Sequence, residues 1–272
     1  MRATTTVVFC AIDNLIGATS KALTGFPAFL EGLAEANVPF VPVTARSRIQ
    51  FDASLRKFGF GHPFIAEGGC GVYLPEDYFH LKPPRSMRLG RFTCIPVASP
   101  SPAAAEMLDR LSEETGIEVV ALRTLSPREL SLNAGVPQRE AELIRQRDFD
   151  EPFFFAGASA SDVERFQKES RLKKAQLRPS GALWSLAVGA SLADCVRDLS
   201  QLYQRSLRAA PLRIGIATAE EAGELLPACD RCVLLTARDA GTPAMAAKCK
   251  NLPLFAAETW PVVLETVLRR RL

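Results

Sequence analysis

The chain predicts an α/β fold: a doubly wound parallel sheet with an α+β unit inserted into it. Three observations predict this. In the first third, short apolar runs alternate with segments of helical period. The alternation stops in a middle broken by Pro83, Pro84, Pro96, Pro100 and Pro102, followed by a helix-rich stretch. It resumes after about residue 188. The expected division is a core of residues 1–81 and 188–272, with residues 82–187 as an inserted cap.

Thr5 to Ala11 forms a first strand. Phe26, Phe29, Leu30, Leu33 and Ala34 recur at helical spacing, with Thr24 as a candidate cap. Phe40 to Val43 and Phe64 to Ala66 are further strands, around a helix from Ile49 to Phe58 that stops near Gly59. In the middle, Ala103–Thr115, Pro127–Asn133 and Gln138–Gln146 predict helices, and strand-like runs surround Val119, Phe154 and Trp184. Then follow a helix at 193–206, a strand at 212–217, a helix at 220–226, a strand at 232–235 and a closing helix at 260–268. A sheet wound this way places its cleft outside the carboxyl ends of the strands.

Composition narrows the function. The chain has 272 residues, 47% of them hydrophobic, enough for a large core. A net charge of +3, with acids and bases mixed, speaks against a nucleic-acid surface. The one dense basic run, Arg269-Arg270-Arg271, suits a solvated helix end. No apolar run is long enough to cross a membrane and no leader pattern begins the chain, so a cytoplasmic protein is expected. Seven cysteines, an odd number, fit a reducing compartment better than a disulfide framework. Cys229-x-x-Cys232 lacks a second pair, and with two histidines in the chain it is read as structural rather than metal-binding or redox-active.

The first strand ends Phe9-Cys10-Ala11-Ile12-Asp13-Asn14. Pro42-Val43-Thr44-Ala45-Arg46-Ser47-Arg48 is a second strand running into a helix, and Ala66-Glu67-Gly68-Gly69-Cys70-Gly71-Val72-Tyr73 follows from the third strand. Gln146-Arg147-Asp148-Phe149-Asp150-Glu151-Pro152-Phe153 falls in the insert, and Glu258-Thr259-Trp260 near the end. Together these segments resemble mannosyl-3-phosphoglycerate phosphatases of the haloacid dehalogenase (HAD) superfamily, across nearly the whole chain. The resemblance implies a HAD-like core with a cap.

It also implies a chemistry, and the chain departs from it. Such phosphatases attack phosphorus with the first aspartate of an Asp-x-Asp-Gly-Thr motif, and the second aspartate protonates the leaving group. A Thr or Ser and a Lys hold the phosphoryl oxygens, and acids on a later loop hold Mg²⁺. Here Ala11 stands at the nucleophile position, and a methyl group cannot attack. Asp13 remains at the acid/base position and Thr44 at the phosphate position. Leu192 falls where the Lys is expected, and Thr218 and Ala222 where the metal acids are. Glu220 and Glu221 are substitute metal ligands only in principle, because adjacent helical residues face apart.

The expectation is a pseudophosphatase. It would bind a phosphorylated sugar or glycerate in the old cleft, or serve as a subunit of a protein partner or homo-oligomer. Thr44, Arg46, Arg48, Glu67, Arg147 and Glu151 are the candidate ligand-binding residues, the arginines because guanidinium suits oxyanions. Two of these assignments stay open. Thr44 either caps the helix after it or meets ligand, and Arg147 with Glu151 either reads ligand or forms an ion pair fixing the cap. No cofactor is expected; Mg²⁺ would be needed only for residual activity. The alternative is an active hydrolase of altered chemistry, working through Asp13 or through Cys10 or Cys70.

Overall fold

The computed structural model describes residues 5–17, 24–81, 83–180, 183–236, 249–253 and 259–269. Lys82, Glu258, Arg270 and Arg271, used in the sequence reading, lie outside them. The chain runs β1 (Thr6–Ala11), α1 (Asp13–Gly17), α2 (Phe26–Glu35), β2 (Phe40–Val43), α3 (Arg48–Phe58), β3 (Phe64–Ala66) and β4 (Gly71–Leu74). Next come β5 (Met87–Leu89), β6 (Phe92–Pro96), α4 (Ser101–Thr115), β7 (Val119–Ala121), α5 (Pro127–Ala134), α6 (Gln138–Ile144) and β8 (Glu151–Phe155). Then follow α7 (Ala160–Leu172), β9 (Ala175–Ser180), β10 (Leu183–Val188), α8 (Leu192–Leu207) and β11 (Leu212–Thr218). The last elements are α9 (Ala222–Leu225), β12 (Arg231–Thr236), β13 (Lys250–Pro253) and α10 (Thr259–Arg269).

Nine strands form the large sheet in the order β13-β12-β11-β1-β2-β3-β4-β6-β5. From β13 to β3 neighbours are parallel; from β3 to β5 they are antiparallel. β1 is central and buried throughout. Its side chains alternate between faces, as a pleated strand requires. Val8, Cys10 and Ile12 join the cluster holding Phe26, Phe29 and Trp260. Val7, Phe9 and Ala11 join the one holding Cys195, Val196 and Leu199 of α8. Helices thus cover both faces, the α/β arrangement expected. Trp260 lies 4.7 Å from the Phe26 ring and 5.0 Å from Phe29, seating α10 on α2.

A second, antiparallel sheet orders β7-β8-β10-β9. Its apolar face packs on α4 and α7 through Leu108, Leu111, Phe153, Phe166 and Leu186. The two connections to the large sheet run side by side, the Ser99 N–H donating to the Val188 carbonyl at 2.9 Å. Residues 87–96, placed by the sequence reading in the insert, pair instead with the large sheet as a β5–β6 hairpin turning at Gly90, whose φ is +60°. Pro83 and Pro84 precede that hairpin rather than open a new unit. The N-cap position of α2 is Gly25, in the left-handed region, one residue after the Thr24 expected there.

Candidate functional site

The cleft forms where the winding direction reverses. From β1 the chain moves outward to β2 and β3; on its return it places β11 on the other side of β1. Such a switch point splays the connections and leaves a crevice at the strands' carboxyl ends. Ala11 and Asp13 from β1, Val43, Thr44 and Ala45 from β2, and Glu220 and Glu221 beyond β11 line a cavity of about 320 Å³. Leu192, Gly223, Glu224 and Leu225 complete the floor and side, and Arg178 and Pro179 of β9 reach in from the second sheet.

Ala11 sits at the strand end with its methyl toward this cavity, on the face opposite the Cys10 side chain. Leu192 opens α8 beside it, with a buried isobutyl group. Its backbone presses on the turn at Gly69: a Cβ there would lie 2.7 Å from both the Leu192 Cα and N. Gly69 also has φ +96°, so only glycine suits the position.

Asp13 is fully engaged as an acceptor. The Thr44 hydroxyl donates to Oδ1, the Ala45 N–H donates to Oδ2 at 2.6 Å, and Arg46 Nε lies 3.7 Å from Oδ1. Burial pushes its pKa up, against the pull of those donors and of Arg46 and Arg147. Thr44 also accepts from the Arg46 N–H at 3.0 Å, whereas Ser47 caps α3 in a capping box with Gln50. Capping of α3 thus falls to Ser47, and Thr44 lines the cleft.

Glu220 and Glu221 correct the sequence reading. They occupy the turn before α9 rather than a helix, and both reach Asn14. Glu221 accepts the Asn14 N–H at 3.1 Å and the Thr218 hydroxyl at 3.1 Å; Glu220 accepts from Asn14 Nδ2 at 3.4 Å. Burial raises the pKa of Glu221. The Mg²⁺ that the resemblance implies does not fit this donor set. Thr218 is spent on Asn14 and Glu221, Ala222 offers a methyl, and no trio of metal-ligating side chains converges among the described residues.

The other candidates do not line the cavity, although Arg147 donates to the carbonyl of Ala45, which does, at 3.4 Å. Glu67, buried and with φ +51°, accepts the backbone N–H groups of Asp148, Phe149 and Asp150. Arg48 forks onto Asp148 at 2.9 and 3.2 Å, and Tyr73 donates to the same carboxylate. Arg147 is buried, donates to Gln50 at 3.1 Å, and lies 2.9 Å from Asp150 at an angle unsuited to a hydrogen bond. Glu151 pairs with Arg123, 3.3 Å away, not with Arg147. The structure brings Ala11, Asp13 and Thr44 together, with Arg46 beside them. Arg48, Glu67 and Arg147 knit the segment 147–150 to the core instead.

Sequence reasoning missed Arg178, because β9 carries no strand signal beyond Gln176 and Arg178 sharing a face. Cys10 and Cys70 are fully buried, which drives both thiols well above their ordinary pKa and leaves them poor nucleophiles. One disulfide, Cys232–Cys249, joins β12 to the start of β13, against the expectation of a wholly reduced set. Among the described residues no helix is long and apolar enough to cross a membrane.

The fold is that of HAD structures, an α/β core with an inserted α+β cap. The chain is similar over its whole length to solved HAD structures: a haloacid dehalogenase-like hydrolase from Bacteroides thetaiotaomicron shares 12% identity at a TM-score of 0.61, with 98% of this chain and 99% of that one covered. In sequence it resembles a glucosyl-3-phosphoglycerate/mannosyl-3-phosphoglycerate phosphatase of Methanococcoides burtonii, 22% identical over 73% of each chain. A protein of the same description from Persephonella marina is 20% identical, over 69% of this chain and 68% of its own. No family model matches the chain.

Proposed function

We propose that this protein is a pseudophosphatase: a HAD-fold protein that binds a phosphorylated sugar or glycerate in the cytoplasm without hydrolysing it. The observation that carries the reading is Ala11 at the end of β1, with Leu192 beside the same cavity. Phosphoryl transfer here would need a carboxylate nucleophile and a cation on the phosphoryl oxygens, and those two positions present a methyl and an isobutyl group. The ligand class follows the sugar and glycerate phosphates for which the relatives are named. A role as subunit of a partner enzyme or homo-oligomer is compatible with the same loss.

One observation favours a second reading, an active phosphomonoesterase of altered chemistry. Asp13 keeps its Thr44 and Ala45 donors at the position where the relatives' motif carries its acid/base, and burial raises its pKa. Phosphate release from mannosyl-3-phosphoglycerate and a panel of sugar phosphates, with and without Mg²⁺, separates the two. No release above an Asp13→Asn control, with ligand-dependent thermal stabilisation, supports the binder. Release abolished in Asp13→Asn overturns it.

A further inference from the structure

Arg178 lines the cleft across from Asp13 and its neighbour Arg46, and it comes from the inserted sheet, not the core. It is already engaged. Nε and Nη2 fork onto the Glu224 carboxylate of α9 at 3.3 and 2.7 Å, and Nη2 also donates to Gln176. The guanidinium reaches this position only because residue 68 has no side chain. A Cβ on Gly68 would lie 2.7 Å from Nη1 and 3.2 Å from Cδ. The Arg178 side chain is 19% exposed and that of Glu224 48%, so the fork sits at the open border of the cavity.

We propose that Arg178 is the anion-capturing group of the cleft and that Glu224 holds it in reserve: a phosphate group binds by taking the guanidinium from Glu224. The inference rests on the reading of the cleft as a binding site. A planar guanidinium satisfies one bidentate carboxylate or one bidentate phosphate, so the two compete for it. Two of the remaining cleft acids are engaged elsewhere. Asp13 is held by Thr44, Ala45 and Arg46, and Glu221 by Asn14 and Thr218. Because the fork joins β9 to α9, its release also frees the inserted unit from one tie to the core. Anion binding and the position of the insert are thereby coupled.

The two partners therefore have opposite effects, which a merely structural ion pair would not. Inorganic phosphate is titrated by calorimetry into the wild type, Glu224→Gln, Arg178→Gln and Arg178→Lys, with thermal melts confirming that each folds. Glu224→Gln removes the competitor and should tighten phosphate by about tenfold, the scale of one charge-assisted bond. Arg178→Gln should abolish binding and Arg178→Lys should retain part of it. Gly68→Asn, which displaces Nη1, should weaken it. Equal shifts in Glu224→Gln and Arg178→Gln, or no phosphate binding by Glu224→Gln, would overturn the proposal. Turnover of phosphate esters by the wild type would instead sink the non-hydrolytic reading, and the opposition of Arg178 and Glu224 would then be read in KM.

Discussion

Glu67 accepts the backbone N–H of Phe149 at 2.8 Å, and the same carboxylate takes the N–H groups of Asp148 at 3.0 Å and Asp150 at 3.1 Å. One side chain of the core thus does for a passing segment what a cap does for a helix. Glu67→Ala orphans three donors, two of them in fully buried surroundings, and should cost about 3 kcal/mol or more in urea unfolding. The carboxyl also makes stability pH-dependent. Burial, then the nearby Asp150, push its pKa from 4.5 up to about 8. The folded state therefore holds this proton more tightly than the unfolded chain, and Glu67's contribution is lost as pH rises across that window. Unfolding free energy measured from pH 5 to 8 should fall less steeply in Glu67→Gln than in the wild type.

Much of this arrangement was legible in the residues. The apolar runs of β1, β2, β3, β11 and β12 and the helical spacing of Phe26, Phe29 and Leu33 identify a wound sheet, because burial on both faces leaves no room for polar residues. Ala11, Asp13 and Thr44 were legible as neighbours for the same reason: adjacent parallel strands bring their ends together. The roles of Glu67 and Arg147 were not. Their partners are backbone groups and a carboxylate about 80 residues away or within one turn, and nothing in local pattern separates a charge that meets ligand from one that ties down a loop. β5 was hidden because an exposed edge strand needs no apolar alternation.

Gly69 shows how tightly the cleft floor is set. Its φ of +96° is outside the range side chains tolerate, and a Cβ would meet the Leu192 backbone at 2.7 Å. Backbone cannot swing aside as a side-chain tip can. Gly69→Ala should cost about 3 kcal/mol from strain and overlap together, seen as a lowered denaturant midpoint. Gly59→Ala shares the left-handed backbone, with φ +65°, but meets nothing within 4 Å. It should cost only about 1 kcal/mol, and the difference is the added strain at φ +96° together with the contact with α8.

Restoring single residues should not restore chemistry. Ala11→Asp supplies a carboxylate and Leu192→Lys a cation, at positions now 5% and 6% exposed. The double variant still has Thr218 and Ala222 where the resemblance calls for acids, so the new carboxylate and an incoming phosphate dianion repel without a metal between them. Phosphate release by Ala11→Asp/Leu192→Lys in Mg²⁺ should stay at the Asp13→Asn background. Adding Thr218→Asp and Ala222→Asp supplies the acids that the resemblance calls for. Release by the double variant alone would show that the cleft tolerates phosphate without those acids.

Cys232 and Cys249 tie neighbouring parallel strands across 17 residues of sequence. Cross-linking a loop of that length removes unfolded-state entropy equivalent to about 3 kcal/mol. The five other cysteines are free, with Cys10, Cys70, Cys94 and Cys195 buried and Cys229 half-buried against Gly215. Burial raises the thiol pKa of Cys10, Cys70, Cys195, Cys94 and Cys229, so none is a ready partner for exchange with the disulfide in the folded protein. Thiol titration in guanidinium should therefore count five groups before reduction and seven after. A phosphine reductant should lower the urea midpoint by the equivalent of about 3 kcal/mol, and Cys249→Ser should lower it equally with no further response to reductant. Seven titratable groups in the untreated protein would mean that β12 and β13 are held by their backbone ladder alone.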